Sequence, residues 1–269
     1  MNLKEITDSI RNKRYNSPLE LQKIIFSIKE YLIIPSITMD KGSSIFRASR
    51  ITSMDEVNEI RRLSYRDAKE NKSYGRACIP GKSMFYGICS TSYINALASG
   101  IFEICPCMRI ADPSPEHHMI VLSKWTLKKN LVLASLINID GQNKSNAFST
   151  FQAGEYSSIA NMLPNGTEVK DFWRLMNGEF TKQVFSADEY MVSAHFADLI
   201  MSLNTFDGIV YESVQSSDPN LKESLCVALP PIIADEYLEF EKADLWEFDI
   251  TEEHNATRPI MTKSNIISK

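Results

Sequence analysis

Apolar residues recur at helical spacing twice near the start of the chain, over 3–13 and again over 18–33. In the second stretch Leu19, Leu21, Ile24, Ile25, Ile28 and Leu32 build a single stripe. Pro35 closes that helix, and Lys41-Gly42-Ser43-Ser44 reads as a flexible link. Residues 1–40 are therefore expected as a helical N-terminal extension, packed on the domain that follows or projecting from it.

Beyond the link the pattern mixes two periods. Strands are expected at 44–48, 84–88, 118–122, 130–137, 208–213 and 224–228. Helices are expected at 91–103, 151–163, 168–178 and 186–203, while the polar run 54–72 is helical in part. The 186–203 helix has the clearest signature. Ser186 and Glu189 form a capping box, and Ala194, Ala197, Leu199, Ile200 and Leu203 supply a core-facing stripe. Strands grouped with helices, without regular βαβ alternation, argue for an α+β domain over 44–250. The segment 251–269 reads as a polar tail, loose at its end. No internal repeat or low-complexity segment stands out.

Composition narrows the function classes. With 269 residues, 43% hydrophobic and 23% charged, the chain has the make-up of an ordinary globular protein with a sizeable core. The net charge of −5 and the mixing of both signs disfavour non-specific binding to nucleic acid. No apolar run is long enough to span a bilayer, and the N-terminus alternates charged with aliphatic residues, unlike a secretory leader. Five cysteines, an odd number, fit a reduced cytoplasmic protein better than a disulfide framework. Cys105 and Cys107 lack a second ligand pair at finger spacing, and the adjacent His117 and His118 would point to opposite faces of a strand, so no metal site is expected.

Four segments carry the candidate chemistry. In FRASR at 46–50, Arg47 points away from its packed neighbours Phe46 and Ala48, with Arg50 as a competing register. In GRACIPG at 75–81, glycine and proline shape a tight loop around Arg76. MFY at 84–86 begins a strand that carries Tyr86. In DGIVYESV at 207–214, a turn enters a strand on which Ile209, Tyr211 and Ser213 share a face. Cys78 has no histidine near it in sequence to activate it, no Gly-x-Ser-x-Gly elbow occurs, and no glycine-rich phosphate loop of the usual kinds is present.

In that order, from about Phe46 to Leu229, these segments resemble the RES family, named for an arginine, a glutamate and a serine. The resemblance implies an α+β fold like that of ADP-ribosyltransferases, a split β core surrounded by helices. It implies an enzyme that cleaves NAD at its nicotinamide bond, a toxin or defence role, and a neighbouring antitoxin of helix-turn-helix type. Arg47, Ser213 and a glutamate would be catalytic, and Arg47, Arg76, Tyr86, Tyr211 and Ser213 would bind NAD, which is substrate rather than cofactor. Ala48, Cys78 and Glu212 depart from the aromatic, asparagine and proline usual in the family. The family glutamate falls near Ser99, so Glu103, one helical turn later on the same face, takes its place; the competing reading is a degenerate site that binds without cleaving. Hydrolysis, phosphorolysis and transfer to a macromolecule remain alternatives, as does a homodimer formed through the N-terminal stripe.

Overall fold

Short capping signals fix where the first helices begin. Asn2 and Glu5 exchange the two bonds of a capping box and start α1 (Leu3–Arg11). Ser17 accepts from the Glu20 amide ahead of Pro18, which opens α2 (Pro18–Phe26). The computed structural model describes residues 1–31, 33–57, 60–105, 116–136, 138–139, 147–213, 225–253 and 256–268.

The architecture is α+β around one open, mixed sheet. Its strands are β1 (Ser36–Met39), β2 (Ser44–Ile51), β3 (Phe85–Cys89), β4 (Glu116–Leu127), β5 (Leu131–Ser135), β6 (Gly208–Glu212), β7 (Leu225–Leu229), β8 (Leu238–Glu253) and β9 (Ala256–Ser268). They lie in the order β1-β5-β6-β7-β3-β2-β4-β8-β9. Every described pairing is antiparallel except β5 with β6. The other helices are α3 (Tyr93–Ile104), α4 (Ala147–Met162), α5 (Gly166–Thr181), α6 (Met191–Ser202) and α7 (Pro231–Tyr237).

Strand alternation divides the core. Ile209 and Tyr211 of β6 pack with α1, α2, α5 and α6 around Phe172 and Trp173, whereas Val210 joins Val227, Leu229, Phe85 and Leu133 on the other face. On the same face as the helical layer, but further along the sheet, α3 packs on Phe46, Ala48 and Ile88. A trough between these two helical packings holds the site described below.

Three boundaries differ from expectation. The extension 1–40 is not a separate unit, because Ser36–Met39 is a sheet strand paired with β5 and Leu3, Ile6, Ile10, Leu21, Ile25 and Ile28 are buried in the main core. The helix expected at 18–33 stops at Phe26 and continues only as a 3-10 turn, Ser27–Glu30, and Leu19, expected in its apolar stripe, is exposed. The expected tail pairs as β9 along β8, from Glu253↔Ala256 to Lys242↔Ser268. The polar run 54–72 contributes 3-10 turns at Met54–Val57, Ile60–Leu63 and Ala68–Glu70.

Candidate functional site

The β2–β3 ladder consists of one residue pair, Phe46↔Ile88. Beyond it the two strands diverge, and Arg47 takes over the bonding: its Nη1 donates to the Tyr86 carbonyl at 2.9 Å while the guanidinium lies 5.5 Å from the centre of the Phe85 ring. A cavity of about 300 Å³ opens here. It is walled by Arg47 and Ala48 of β2, Tyr86 of β3, Gly100 and Glu103 of α3, and Tyr211 of β6.

Small residues bring α3 close enough to contribute. A Cβ on Gly100 would stand 2.6 Å from that of Ala48, so the helix can approach β2 only because both positions are minimal. This approach carries Glu103 to the cavity wall. Ser99, one turn earlier, is fully buried and its hydroxyl has no hydrogen-bond partner. The Ser213 hydroxyl, just past the end of β6, donates to Glu103 Oε1 at 2.8 Å, and the Cys226 thiol lies 3.8 Å from the same oxygen. Tyr211 stands edge-tilted against Phe180 at 5.4 Å, and burial raises its phenol well above the ordinary value.

The loop expected to present Arg76 is built differently from expectation. Arg76 is buried, and its guanidinium donates to the carbonyls of Phe180 and Lys182 at the end of α5. It also lies 4.9 Å from the centre of the Tyr190 ring. A cation bonded to the last carbonyls of a helix satisfies acceptors the helix leaves open and meets the negative end of its dipole. Arg76 lines the cavity, yet its donors hold the protein together. Tyr86 is also pinned from this loop: its hydroxyl accepts from the Ala77 amide at 3.1 Å, and burial raises its pKa. Gly75 makes room, since a Cβ there would sit 2.9 Å from the Tyr86 hydroxyl.

Arg47 is a half-buried charge of this wall, and its Nε is shielded and without a hydrogen-bond partner. Burial first, and then the like charge of Arg66, lower its pKa to about 10, so it stays cationic at neutral pH. Burial raises Cys78 to about 11, which leaves it a thiol and not a nucleophile. His195 on α6 lies outside this wall, with Nε2 3.5 Å from the Tyr74 hydroxyl. On β4, His117 is exposed and His118 buried. Cys105 is buried, and Cys107 lies outside the described residues. Among the described residues no three His, Cys, Asp or Glu side chains gather as a metal site. No described helix is long and apolar enough to cross a membrane.

The structure thus brings Arg47, Tyr86, Glu103, Ser213 and Tyr211 together and gives Arg76 a second duty. Tyr190, Gly100 and Cys226 also line the cavity, and sequence reasoning missed them. The pairing of Gly100 with Ala48 was visible only as two small residues, one in the expected helix 91–103 and one in FRASR. No protein-family model matches this chain, and no curated protein matches it.

Proposed function

We propose that the protein cleaves the bond between nicotinamide and ribose in NAD, as a RES-type enzyme with a fold of the ADP-ribosyltransferase kind. The observation carrying this reading is the Glu103 carboxylate, held by Ser213 at 2.8 Å on the wall of a cavity that Arg47, Tyr86 and Tyr211 share. About 300 Å³ is at the small end for ligand pockets, which suits a nicotinamide riboside portion rather than a whole dinucleotide.

The chemistry asks little of a general acid. As the C1′–N bond breaks, its electron pair neutralises the pyridinium, and nicotinamide departs uncharged. Positive charge grows on the ribose, where the fixed Glu103 carboxylate stabilises it. Water then bonds to C1′ and loses a proton, giving ADP-ribose; inorganic phosphate in its place gives ADP-ribose 1″-phosphate. Tyr86 and Tyr211 offer aromatic faces for the ring, and Arg47 offers a cation toward the diphosphate.

Nicotinamide release from NAD by the purified protein, with and without phosphate, tests the reading. Release is expected in at least one condition, and the products distinguish hydrolysis from phosphorolysis. Binding of NAD without any release would leave a RES-like binding module instead.

A further inference from the structure

A second cavity, about 270 Å³, adjoins the first through the shared walls of Arg47, Ala48 and Ile104. It opens where β2 and β3 diverge, toward Ile51, and Arg50, Arg62 and Arg66 line it with Arg47. Glu56 is the single carboxylate among its described lining residues. That carboxylate is already occupied by the Thr52 amide at 2.7 Å, the Thr52 hydroxyl at 2.6 Å and Arg62 at 3.1 Å. Arg47 bonds to a carbonyl, which leaves its charge uncompensated, and Arg66 pairs with no carboxylate among the described residues.

We infer that this arginine-walled annex is a polyphosphate subsite, which takes the diphosphate portion of a ligand whose nucleoside end occupies the Glu103 cavity. Arg47 Nε and Ser49 Oγ are two residues apart on one face of β2, both line the annex, and both are shielded without a hydrogen-bond partner. Two donors without acceptors beside clustered guanidinia are what an oxyanion completes. A carboxylate presents two oxygens in one plane. Phosphate groups present several oxygens in different directions, which suits arginines arriving from β2, from the 3-10 turn Ile60–Leu63 and from the segment that follows it. The placement also accounts for Arg76: with its donors bonded to α5, the diphosphate is gripped on the opposite side of the cleft. For NAD as the ligand this rests on the function proposed above; for polyphosphate binding alone it does not.

The test uses the full chain and inorganic pyrophosphate as the probe, by calorimetry at constant ionic strength. Binding is expected, with Arg66→Gln weakening it about tenfold, a loss of one charge-assisted contact. Arg66→Lys should fall between the two, and Lys242→Gln, on a distant strand, should bind as the parent does. Arg66 is exposed, so these variants are expected to fold. No pyrophosphate binding, or binding equal to the parent's by both Arg66→Gln and an Arg50→Gln/Arg66→Gln double variant, would overturn the inference. Nicotinamide release separates the two readings: its absence with an Arg66-dependent pyrophosphate response removes only the glycosidic reading, and its presence without that response removes only the annex.

Discussion

Ser213 donates a 2.8 Å hydrogen bond to Glu103 Oε1 across 110 residues of sequence. That bond orients the carboxylate toward the cavity wall. Replacing Glu103 by Gln keeps the shape and removes the charge. NAD turnover should fall about a hundredfold or more while the dissociation constant moves little. Ser213→Ala should lower turnover by about tenfold, matching the loss of a hydrogen bond to a charged group. In the double variant the Ser213 effect should vanish, and a fully multiplicative loss would show that the two residues act separately.

Arg76 should matter more for stability than for binding. Arg76→Met leaves the Phe180 and Lys182 carbonyls without their donors, at a cost of about 2–5 kcal/mol in urea unfolding. Arg76→Lys should recover little, because one ammonium cannot reproduce the planar fork. An unchanged midpoint with weakened ligand binding would reverse this assignment.

Gly75 and Tyr86 should behave as a coupled pair. Gly75→Ala forces a Cβ to 2.9 Å from the Tyr86 hydroxyl and disturbs its bond from Ala77, at roughly 1 kcal/mol. Tyr86→Phe removes the obstructing oxygen, so adding Gly75→Ala to it should cost measurably less. Additive losses would mean the loop adjusts in some other way.

His195 should contribute a pH dependence of stability. Burial lowers its pKa below 6.5, with Asp198 raising it and Lys82 lowering it in smaller measure. The neutral ring is favoured in the folded chain, so this stability is complete above about 6.5 and is lost as pH falls through the lowered folded value. Thermal melts between pH 7.5 and 5 should show a decline that His195→Gln makes shallower. Parallel curves for the two proteins would remove His195 from the account.

Truncating the N-terminal helices should unfold the chain. Leu3, Ile6, Ile10, Leu21, Ile25 and Ile28 are each at most 3% exposed. At roughly 1.5–3 kcal/mol each, their loss rivals the whole stability of a typical domain, about 5–15 kcal/mol. A protein lacking residues 1–34 should lack a cooperative melting transition; a sharp one would restore the extension as a separable unit.

Locally encoded features were legible in the sequence. The Ser186–Glu189 box and the alternation of Ile209, Val210 and Tyr211 each depend on neighbours a few residues away, and both appear where expected. Arg47, Glu103 and Ser213 were named from motif order; Arg47 and Glu103 line one cavity, and Ser213 is hydrogen-bonded to Glu103 behind its wall. The bonds Arg76 makes to α5 were not legible, because carbonyls at the end of that helix, more than a hundred residues downstream, decide them. The strand β8 was hidden by acidic residues among Leu238, Phe240 and Leu245, and by the register shift between Ala243 and Asp244, which breaks its alternation. Arg66 gave no signal, since a charge in a polar run looks like any solvated residue.

The parallel pairing of β5 with β6 has a consequence for how the molecule comes into being. By residue 135 the chain has supplied β1 with β5 and, separately, β3 with β2 and β4, and among the described residues no pairing joins the two patches. Only β6 and β7, residues 208–229, lie between them. At a synthesis rate of about 5–20 residues per second, the two halves wait several seconds for the segment that welds them. Such long-range closure is slow to find once the chain is complete. The segment that welds the sheet leads directly into Ser213, so the cleft gains its serine only as the halves unite, and a nascent chain carries Glu103 for seconds before Ser213 reaches it.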